Sequence, residues 1–319
     1  MSFLHGPSFF WGSSKPTPEP VDVAVAPEPT HGGGVPIGDG MAAAAAKNLS
    51  IVNPVGYFEK YGFPGPIHDV ANRGEFISLY DRRMRNPAWV IEHITRESLA
   101  VDNGKRDQSV FKEDTAIPEK YRARLQDYFR SGYDRGHQAP AADAKFSQQA
   151  MDDTFYLTNM CPQVGNGFNR DYWAHFEYFV RGLARQYDSV RIVTGPLYLP
   201  KKDPVDGKWR VTYEVIGNPP NVAVPTHFFK IIVGEGHPKN SKGVAVGAFV
   251  MPNEEIDNNT PLKSFYVPIE AVERSSGVDF LAKLPTSERR DLCREVKCEI
   301  VVREFNKAQQ KPLALPPPK

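Results

Sequence analysis

Residues 132–146, GYDRGHQAPAADAKF, place an arginine and a histidine two positions apart. Arg135 offers fixed hydrogen-bond donors that suit a phosphate, and His137 titrates near neutral pH and can take a proton from water. Gly136 between them permits a tight backbone turn that directs both side chains into one cleft. A lone histidine is more often a surface or packed residue. The pair, however, is typical of a hydrolase that holds a phosphodiester.

A second polar group lies on a helix predicted over residues 169–187, NRDYWAHFEYFVRGLARQY. At about 100° per residue, a spacing of four keeps side chains on one face of a helix. That face carries Asn169, Trp173, Glu177 and Arg181, and the neighbouring apolar stripe carries Phe176, Phe179, Val180 and Leu183. The polar face is therefore free for function, although an ordinary ion pair between Glu177 and Arg181 explains the same spacing.

The loop that leads into this helix, TNMCPQVGNGFN, is rich in amides: Asn159, Gln163, Asn166 and Asn169. Asn and Gln in loops usually serve turns. Uncharged amide oxygens also suit a hydrated cation such as Mg²⁺, which takes few protein ligands. One amide beside a phosphate would be enough for a metal site.

The elements that must position these residues are short β-rich runs and a few helices. Strands are predicted at FISLYD and AWVIEHI, joined as a hairpin by RRMRNP, and at TFYLTNM, SVRIVTGPLYL, WRVTYEVI, THFFKIIVG, GVAVGAFVM and KSFYVPI. Helices are predicted over residues 118–129, 169–187 and 287–296. An antiparallel sheet with helices on its faces is an α+β domain. No internal repeat is present.

Length and composition limit the possible number of domains and the kinds of partner. The 319 residues, 40% hydrophobic and 24% charged, suit one large domain or two modest ones. A net charge of +1 gives no overall attraction to polyanions, so a nucleic acid would have to be held by a local patch. Residues 1–50 are predicted to be a disordered tether and residues 311–319 a disordered Pro-rich tail.

The N-terminal stretch contains two features of its own. MAAAAAKN at residues 41–48 is predicted to form a short helix. The start MSFLHGPSFFWGSS has no basic residue before its apolar residues and is broken by Gly6 and Pro7, so it is a poor signal peptide, although Phe9, Phe10 and Trp11 are apolar. A disordered tail is the favoured interpretation of this start, and weak contact with a membrane interface is the alternative.

The three cysteines, Cys161, Cys293 and Cys298, have no metal-ligand spacing, and their odd number argues against a disulfide framework. We therefore expect them to be unpaired, in a reducing or mildly redox-active compartment; a bond between Cys293 and Cys298 is the alternative.

Taken in order, DRGHQAPAAD, DDTFYLTNMCPQ and NRDYWAHFE resemble the DNA/RNA non-specific nucleases of the ββα-metal class, most closely the fungal mitochondrial nucleases of the endonuclease G group. The resemblance runs over roughly residues 55–308 and includes YDRRMRNPAWVIEHIT, VTGPLYLP and CEIVVREF. It implies a central antiparallel β-sheet flanked by helices, with a ββα-metal active-site motif, in a nuclease domain spanning residues 51–310.

The resemblance also implies a role for each site residue. His137 matches the general base that deprotonates the attacking water, and Asn169 matches the sole protein ligand of one divalent ion, Mg²⁺ or Mn²⁺. Arg135 and Arg106 match residues that hold the phosphate. Asn159 matches an amide that orients His137 or the phosphate, Glu177 matches a carboxylate that fixes water on the metal, and Arg181 continues that shell. The loop from Gln163 to Asn169 is one residue longer than in the bacterial secreted members, and Met160 and Cys161 replace small or apolar residues.

The implied activity is hydrolysis of DNA and RNA, single or double stranded, to 5′-phosphate products. The resemblance further implies a homodimer in mitochondria, at the inner membrane or in the intermembrane space, although no Arg-rich presequence is visible. Two alternatives stand beside it. One is a cysteine hydrolase with Cys161 as nucleophile. The other is a catalytically silent nucleic-acid-binding or scaffold protein, whose expected trace would be loss of His137 or Asn169.

Overall fold

The computed structural model describes residues 64–237 and 243–303. The predicted tether, the helix at residues 41–48, the apolar start and the Pro-rich tail all lie outside the described residues. Among the described residues, no helix is long and apolar enough to cross a membrane.

Fourteen strands are described. They are β1 His68–Asn72, β2 Phe76–Asp81, β3 Asn86–Ile94, β4 Asp134–His137, β5 Met160–Gln163, β6 Ser189–Leu197, β7 Lys201–Lys202, β8 Trp209–Arg210, β9 Val215–Ile216, β10 Val222–Ala223, β11 His227–Glu235, β12 Val244–Pro252, β13 Tyr266–Val267 and β14 Arg289–Asp291.

The central sheet has the strand order β1-β2-β3-β6-β11-β12-β13, and β14 also pairs with β12. Every pair in it is antiparallel except β12 with β14, which is parallel. The predicted β2–β3 hairpin is present. The predicted antiparallel sheet with flanking helices is therefore confirmed. Three two-stranded sheets lie outside it, namely β4–β5, β7–β8 and β9–β10.

The α-helices are α1 Arg96–Ala100, α2 Leu125–Tyr128, α3 Gln148–Asp153, α4 Trp173–Leu183, α5 Ile269–Ser276 and α6 Leu292–Glu295. Short 3₁₀ turns are formed by Arg106–Gln108, Glu119–Tyr121, Leu157–Asn159, Leu262–Phe265 and Thr286–Glu288, and a π-helical turn, Gly165–Tyr172, precedes α4.

Two of the predicted helices are wrong over most of their length. The helix predicted over residues 118–129 is reduced to a turn and α2, because long-range side chains take its backbone donors. The amide of Ala123 donates to the hydroxyl of Tyr80 at 3.1 Å, and that of Leu125 donates to the carboxylate of Glu113 at 3.0 Å. The helix predicted over residues 287–296 is interrupted because residues 289–291 join the sheet as β14.

Some predicted strands are shorter than expected. Only the last residue of TFYLTNM joins a strand, β5; the residues before it follow α3 and form a 3₁₀ turn. WRVTYEVI forms only the two-residue strands β8 and β9. KSFYVPI contributes β13 after a 3₁₀ turn.

The side chains of β11 show how the sheet separates two cores. Phe228 and Ile232 join the core that contains the apolar face of α4, whereas Phe229 and Ile231 join the core that contains α5. This alternation is the period of two expected of a strand buried on both faces. Lys230 lies on the α4 side as well, so a buried cation faces the helix that carries the predicted polar residues.

Cys293 and Cys298 form a disulfide, so the expectation that all three cysteines are unpaired is wrong. The bond closes a short loop around α6, and Cys298 lies in the core against which α4 packs. An odd cysteine count excludes only complete pairing, and Cys161 is the buried, free remainder.

We expect Cys293→Ser to destabilise the protein by about 2 kcal/mol, since the disulfide restricts the unfolded chain over a short loop. The melting temperature should fall by about 4–8 °C. Thermal denaturation with and without reductant measures this effect. Reductant should lower the melting temperature of the wild type and leave that of the variant unchanged; equal melting temperatures for wild type and variant would contradict the prediction.

Candidate active site

The DRGH motif is a strand. Residues of β4 pair with β5 in antiparallel register, with His137 opposite Met160 and Gly136 opposite Cys161. Because side chains alternate along a strand, Arg135 and His137 share one face. The expected tight turn at Gly136 is therefore wrong. A glycine is needed there for close approach, since a Cβ at Gly136 would lie 1.9 Å from Oε1 of Gln163.

Two aromatic rings connect the predicted base to the predicted phosphate-binding arginines. The His137 ring lies 5.6 Å from the Phe111 ring and 4.9 Å from the Phe155 ring, measured between centroids. The guanidinium of Arg135 lies 4.5 Å from the Phe111 centroid, and that of Arg106 lies 5.3 Å from the Phe155 centroid. The structure thus gathers three residues from distant parts of the sequence around one aromatic pair.

His137 is buried, and its Nε2 has no hydrogen-bond partner among the described residues. Burial lowers the pKa of the imidazole well below its usual 6.5, and the positive charges of Arg106 and Arg135 lower it further. The ring is consequently neutral at neutral pH. A neutral imidazole with an unpartnered ring nitrogen is the form that can accept a proton.

This pKa shift predicts the acidic limit of activity. The value of kcat/KM should be flat around pH 6.5 and fall only at more acidic pH, where the folded protein begins to protonate His137. A rise centred near 6.5 is what an unperturbed histidine would give. Pre-steady-state cleavage rates at constant ionic strength measure the profile.

As a matched comparison, Arg106→Gln removes one of the positive charges that oppose protonation, and it should move the acidic limb toward higher pH. The assignment of His137 would be contradicted if wild-type kcat/KM began to fall at or above pH 6.5. It would also be contradicted if Arg106→Gln did not shift the acidic fall.

Asn169 lies in the π-helical turn that runs directly into α4, four residues before the α-helical part begins. Its side-chain Nδ2 donates to Oδ2 of Asp134 at 2.9 Å. Arg170 binds both oxygens of the same carboxylate, with Nε at 2.7 Å from Oδ2. Because Asp134 holds the amide nitrogen, the amide oxygen of Asn169 is oriented away and accepts no hydrogen bond from a described residue.

This arrangement fits a hydrated divalent cation. Among the described residues, no three His, Cys, Asp or Glu side chains are grouped to hold a metal ion. A single neutral amide oxygen suits Mg²⁺, which keeps most of its waters. Sequence reasoning missed the roles of Asp134 and Arg170, although both belong to motifs that were already noted.

The side chain of Asn159 is fully engaged with the backbone. Its Oδ1 accepts from the amide of Ala139 at 2.9 Å, and its Nδ2 donates to the carbonyls of Ala139 and Thr154 at 2.9 and 2.8 Å. It therefore fixes the segment two residues after His137. This geometry favours orientation of the histidine over direct contact with phosphate.

Glu177 and Arg181 lie on α4, but the ion pair that Arg181 makes is with Asp143, whose Oδ1 is 2.9 Å from Nη1. Burial raises the pKa of Glu177 to about 7, although the charges of Arg181 and Lys230 partly oppose the rise. Arg106 is near enough for its charge to contribute too. The charges of Glu177 and Arg106 therefore interact, which places this part of α4 close to the proposed phosphate-binding arginines.

Trp173 shares a face of α4 with Glu177, and Nζ of Lys230 lies 5.3 Å from its ring centroid. Trp173 is buried in the core with its ring 5.5 Å from Phe168 and 5.7 Å from Phe228, between centroids. The spacing by four holds within α4, but it does not extend back to Asn169, because the chain before α4 winds as a π-helical turn.

A buried group of charges lies near Glu177 and was missed by the sequence analysis. It contains Glu75, Glu92, Asp143 and Lys230. Burial, with a smaller contribution from Asp143, raises the pKa of Glu75 to about 9, so this carboxyl is protonated at neutral pH. Burial and the neighbouring acids raise the pKa of Glu92 well above its ordinary value. Burial of these positions is set by tertiary packing, which explains why no local pattern revealed the group.

Cys161 is not a nucleophile in this structure. It is buried in β5, and burial raises the pKa of its thiol well above the ordinary value, which disfavours the reactive thiolate. The buried thiol therefore gives the cysteine-hydrolase alternative no support.

The model of the family described as DNA/RNA non-specific endonuclease matches residues 54–287, well over half of the chain. The chain belongs to the DNA/RNA non-specific endonuclease family. The nuclease is 67% identical over 274 residues to a mitochondrial nuclease of Saccharomyces cerevisiae, which covers 84% of this chain and 83% of the relative. It is 43% identical over 229 residues to human mitochondrial endonuclease G, covering 72% and 74% of the two chains.

A solved structure agrees with the fold. One chain of the crystal structure of the EndoG/EndoGI complex matches with a TM-score of 0.67 and 46% sequence identity, over 75% of this chain and 97% of that chain. The predicted family and its endonuclease G relatives are therefore confirmed. The protein is a mitochondrial hydrolase of a metal-dependent nuclease family, and the silent-scaffold alternative is not supported.

Proposed function

We propose that the nuclease hydrolyses phosphodiester bonds of DNA and RNA, single or double stranded, to 5′-phosphate products, with His137 as general base and Asn169 as the protein ligand of one Mg²⁺ or Mn²⁺. The observation that carries this proposal is the neutral His137 packed against Phe111 and Phe155, whose rings also contact Arg135 and Arg106. A proton acceptor and two phosphate-binding cations thus share one cluster.

Each residue of the site has its own proposed role. Nε2 of His137 accepts the proton of the attacking water, while Arg135 and Arg106 bind the phosphate and stabilise the negative charge that grows on it. A divalent cation, when bound, supplies positive charge next to the phosphate oxygens. Asp134 fixes the amide of Asn169, and Asn159 fixes the backbone that follows His137. Glu177 orients water near the cation.

Cleavage without sequence preference follows from what the site binds. Arginine guanidiniums and a cation recognise phosphate, which every nucleic acid carries, and none of the proposed roles requires contact with a base edge. DNA and RNA are therefore both substrates.

We further propose that the nuclease is a homodimer and that it resides at the inner mitochondrial membrane or in the intermembrane space. The N-terminal residues would add weak membrane contact. The family resemblance supports the homodimer and the site within mitochondria, and the names of the relatives support the mitochondrial compartment alone.

Digestion of supercoiled plasmid and of a structured RNA, with and without chelator, tests the proposed activity. Both substrates should be degraded, and excess chelator should stop degradation of both. Product ends should accept label from polynucleotide kinase only after phosphatase treatment, which identifies 5′ phosphates. A protein that binds both nucleic acids but cuts neither would contradict the proposal.

A further inference from the structure

Asn253 joins the central sheet to the residues that precede Asn169. It directly follows β12. Its side-chain Oδ1 accepts from the amide of Val164 at 2.9 Å, and its Nδ2 donates to the carbonyls of Pro162 at 3.1 Å and Pro225 at 2.9 Å. One side chain thus connects three segments that are distant from it in sequence.

Val164 is held from both sides. Its N–H donates to Asn253, and its carbonyl accepts from the backbone amide of Asn169 at 2.9 Å. The turn between Val164 and Asn169 is irregular, because Asn166 has a ψ of 141° and Gly167 a φ of 75°. The backbone hydrogen bond of Asn169 therefore leads, through Val164 alone, to the side chain of Asn253.

A second contact fixes the same turn. The carbonyl of Gly167 accepts from the amide of Ile256 at 3.1 Å, and Ile256 is buried in the core against which α4 packs. A Cβ at Gly167 would lie 2.2 Å from Cγ of Glu255, so the two backbones are in close contact. Residues 253–256 thus anchor the turn that carries Asn169.

Asn253 also reaches the strand that pairs with the histidine. Pro162 belongs to β5 and lies opposite Arg135 in β4, in the register that places His137 opposite Met160. The Asn253 side chain therefore binds both the strand beside the proposed base and the turn that carries the proposed metal ligand.

We propose that Asn253 is a positioning residue of the metal site, which sets the place of the Asn169 amide relative to His137. The inference rests on the proposed function of Asn169 and adds the residue that holds its turn. Loss of a residue that orients a metal ligand typically lowers metal affinity about 10-fold to 100-fold. A purely structural asparagine would lower stability and leave metal affinity unchanged.

Hydrogen exchange of the metal-free protein tests the anchoring. Asn253→Ala removes three side-chain hydrogen bonds, so the amides of residues 164–169 should exchange about tenfold faster or more. Asn221→Ala is the matched control. Asn221 is also partly buried and donates to the carbonyl of Arg122 at 3.0 Å and to Asp127 at 2.7 Å, and its bonds to described residues do not reach the turn. It should leave the exchange of residues 164–169 unchanged.

Titration calorimetry with Mn²⁺ tests the consequence for the metal. The Kd of Asn253→Ala should rise about 10-fold to 100-fold, and that of Asn221→Ala should stay at the wild-type value. The Mn²⁺ concentration for half-maximal cleavage should rise with the Kd, whereas the rate at saturating Mn²⁺ should return close to that of the wild type, because Asn169 and His137 are both still present. The melting temperatures of the two variants should fall by similar amounts, so a loss of stability does not explain the difference in affinity.

The outcomes separate the metal site from its support. A wild type that binds no Mn²⁺ would overturn the proposed metal site and this inference with it. Wild-type binding with an unchanged Kd for Asn253→Ala, or with equal losses of affinity in both variants, would overturn the positioning role and leave the metal site in place. Unchanged amide exchange in Asn253→Ala would overturn the positioning role as well.

Discussion

His137→Ala is expected to slow cleavage of DNA and RNA by about 10²-fold to 10⁴-fold while nucleic-acid binding is retained. The substitution removes the only proton acceptor assigned to the attacking water. Arg135 and Arg106 stay on Phe111 and Phe155, so the phosphate keeps its main cationic contacts. Single-turnover rates and filter-binding affinities, measured on the same labelled substrate in Ca²⁺ and Mg²⁺, separate the two effects.

Two controls sharpen this experiment. Added imidazole should partly restore the rate of His137→Ala, because the missing ring leaves room beside Phe111 and Phe155 for a free base. His93→Ala removes an exposed histidine that hydrogen-bonds Ser189 and should leave the rate unchanged. If His137→Ala lost binding in proportion to activity and imidazole had no effect, the histidine would be a phosphate-binding or structural residue, and the base would have to be another group.

The sequence reveals those site residues that lie close to each other along the chain. Arg135 and His137 are two positions apart, and strand alternation brings such residues together whether the segment is expected to turn or to extend. The sheet was also predictable, since β2, β3, β6, β11 and β12 carry strong β-branched runs between turns.

The rest of the site depends on contacts between distant segments. Phe111 and Phe155 are 44 positions apart, yet their ring centroids lie 5.0 Å from each other. No local pattern distinguishes them from other buried aromatic residues. The same holds for the contact between Asp134 and Asn169, and for Lys230, an unusual buried cation in a strand that otherwise reads as apolar.

Contacts between distant segments also explain why the predicted helices are interrupted. Residues 118–129 have helical propensity, but Tyr80 and Glu113 bind backbone amides that a helix would use. Propensity is worth only a fraction of a kcal/mol per residue, so a few tertiary hydrogen bonds outweigh it.

Asn169→Ala should abolish metal-stimulated cleavage and leave folding nearly intact. The variant removes the amide oxygen that is proposed as the sole protein ligand, and no group of described acidic residues is placed to replace it. The side chain is only partly buried, so its loss costs little packing. Wild-type protein in excess chelator should show the same loss of activity, whereas the melting temperature of the variant should stay close to that of the wild type.

Asn169→Asp separates metal binding from the hydrogen bond to Asp134. The substitution keeps an oxygen ligand but replaces the donor 2.9 Å from Oδ2 of Asp134 by a second carboxylate oxygen. Repulsion between the two carboxylates should displace the ligand or raise a pKa of the pair, so activity should return only in part and at higher Mg²⁺ or Mn²⁺ concentration. Isothermal titration with Mn²⁺ provides a readout independent of cleavage: wild type should bind one ion per chain, and Asn169→Ala should bind none at that site. Full activity of Asn169→Ala, or of wild type in excess chelator, would contradict the single-ligand site.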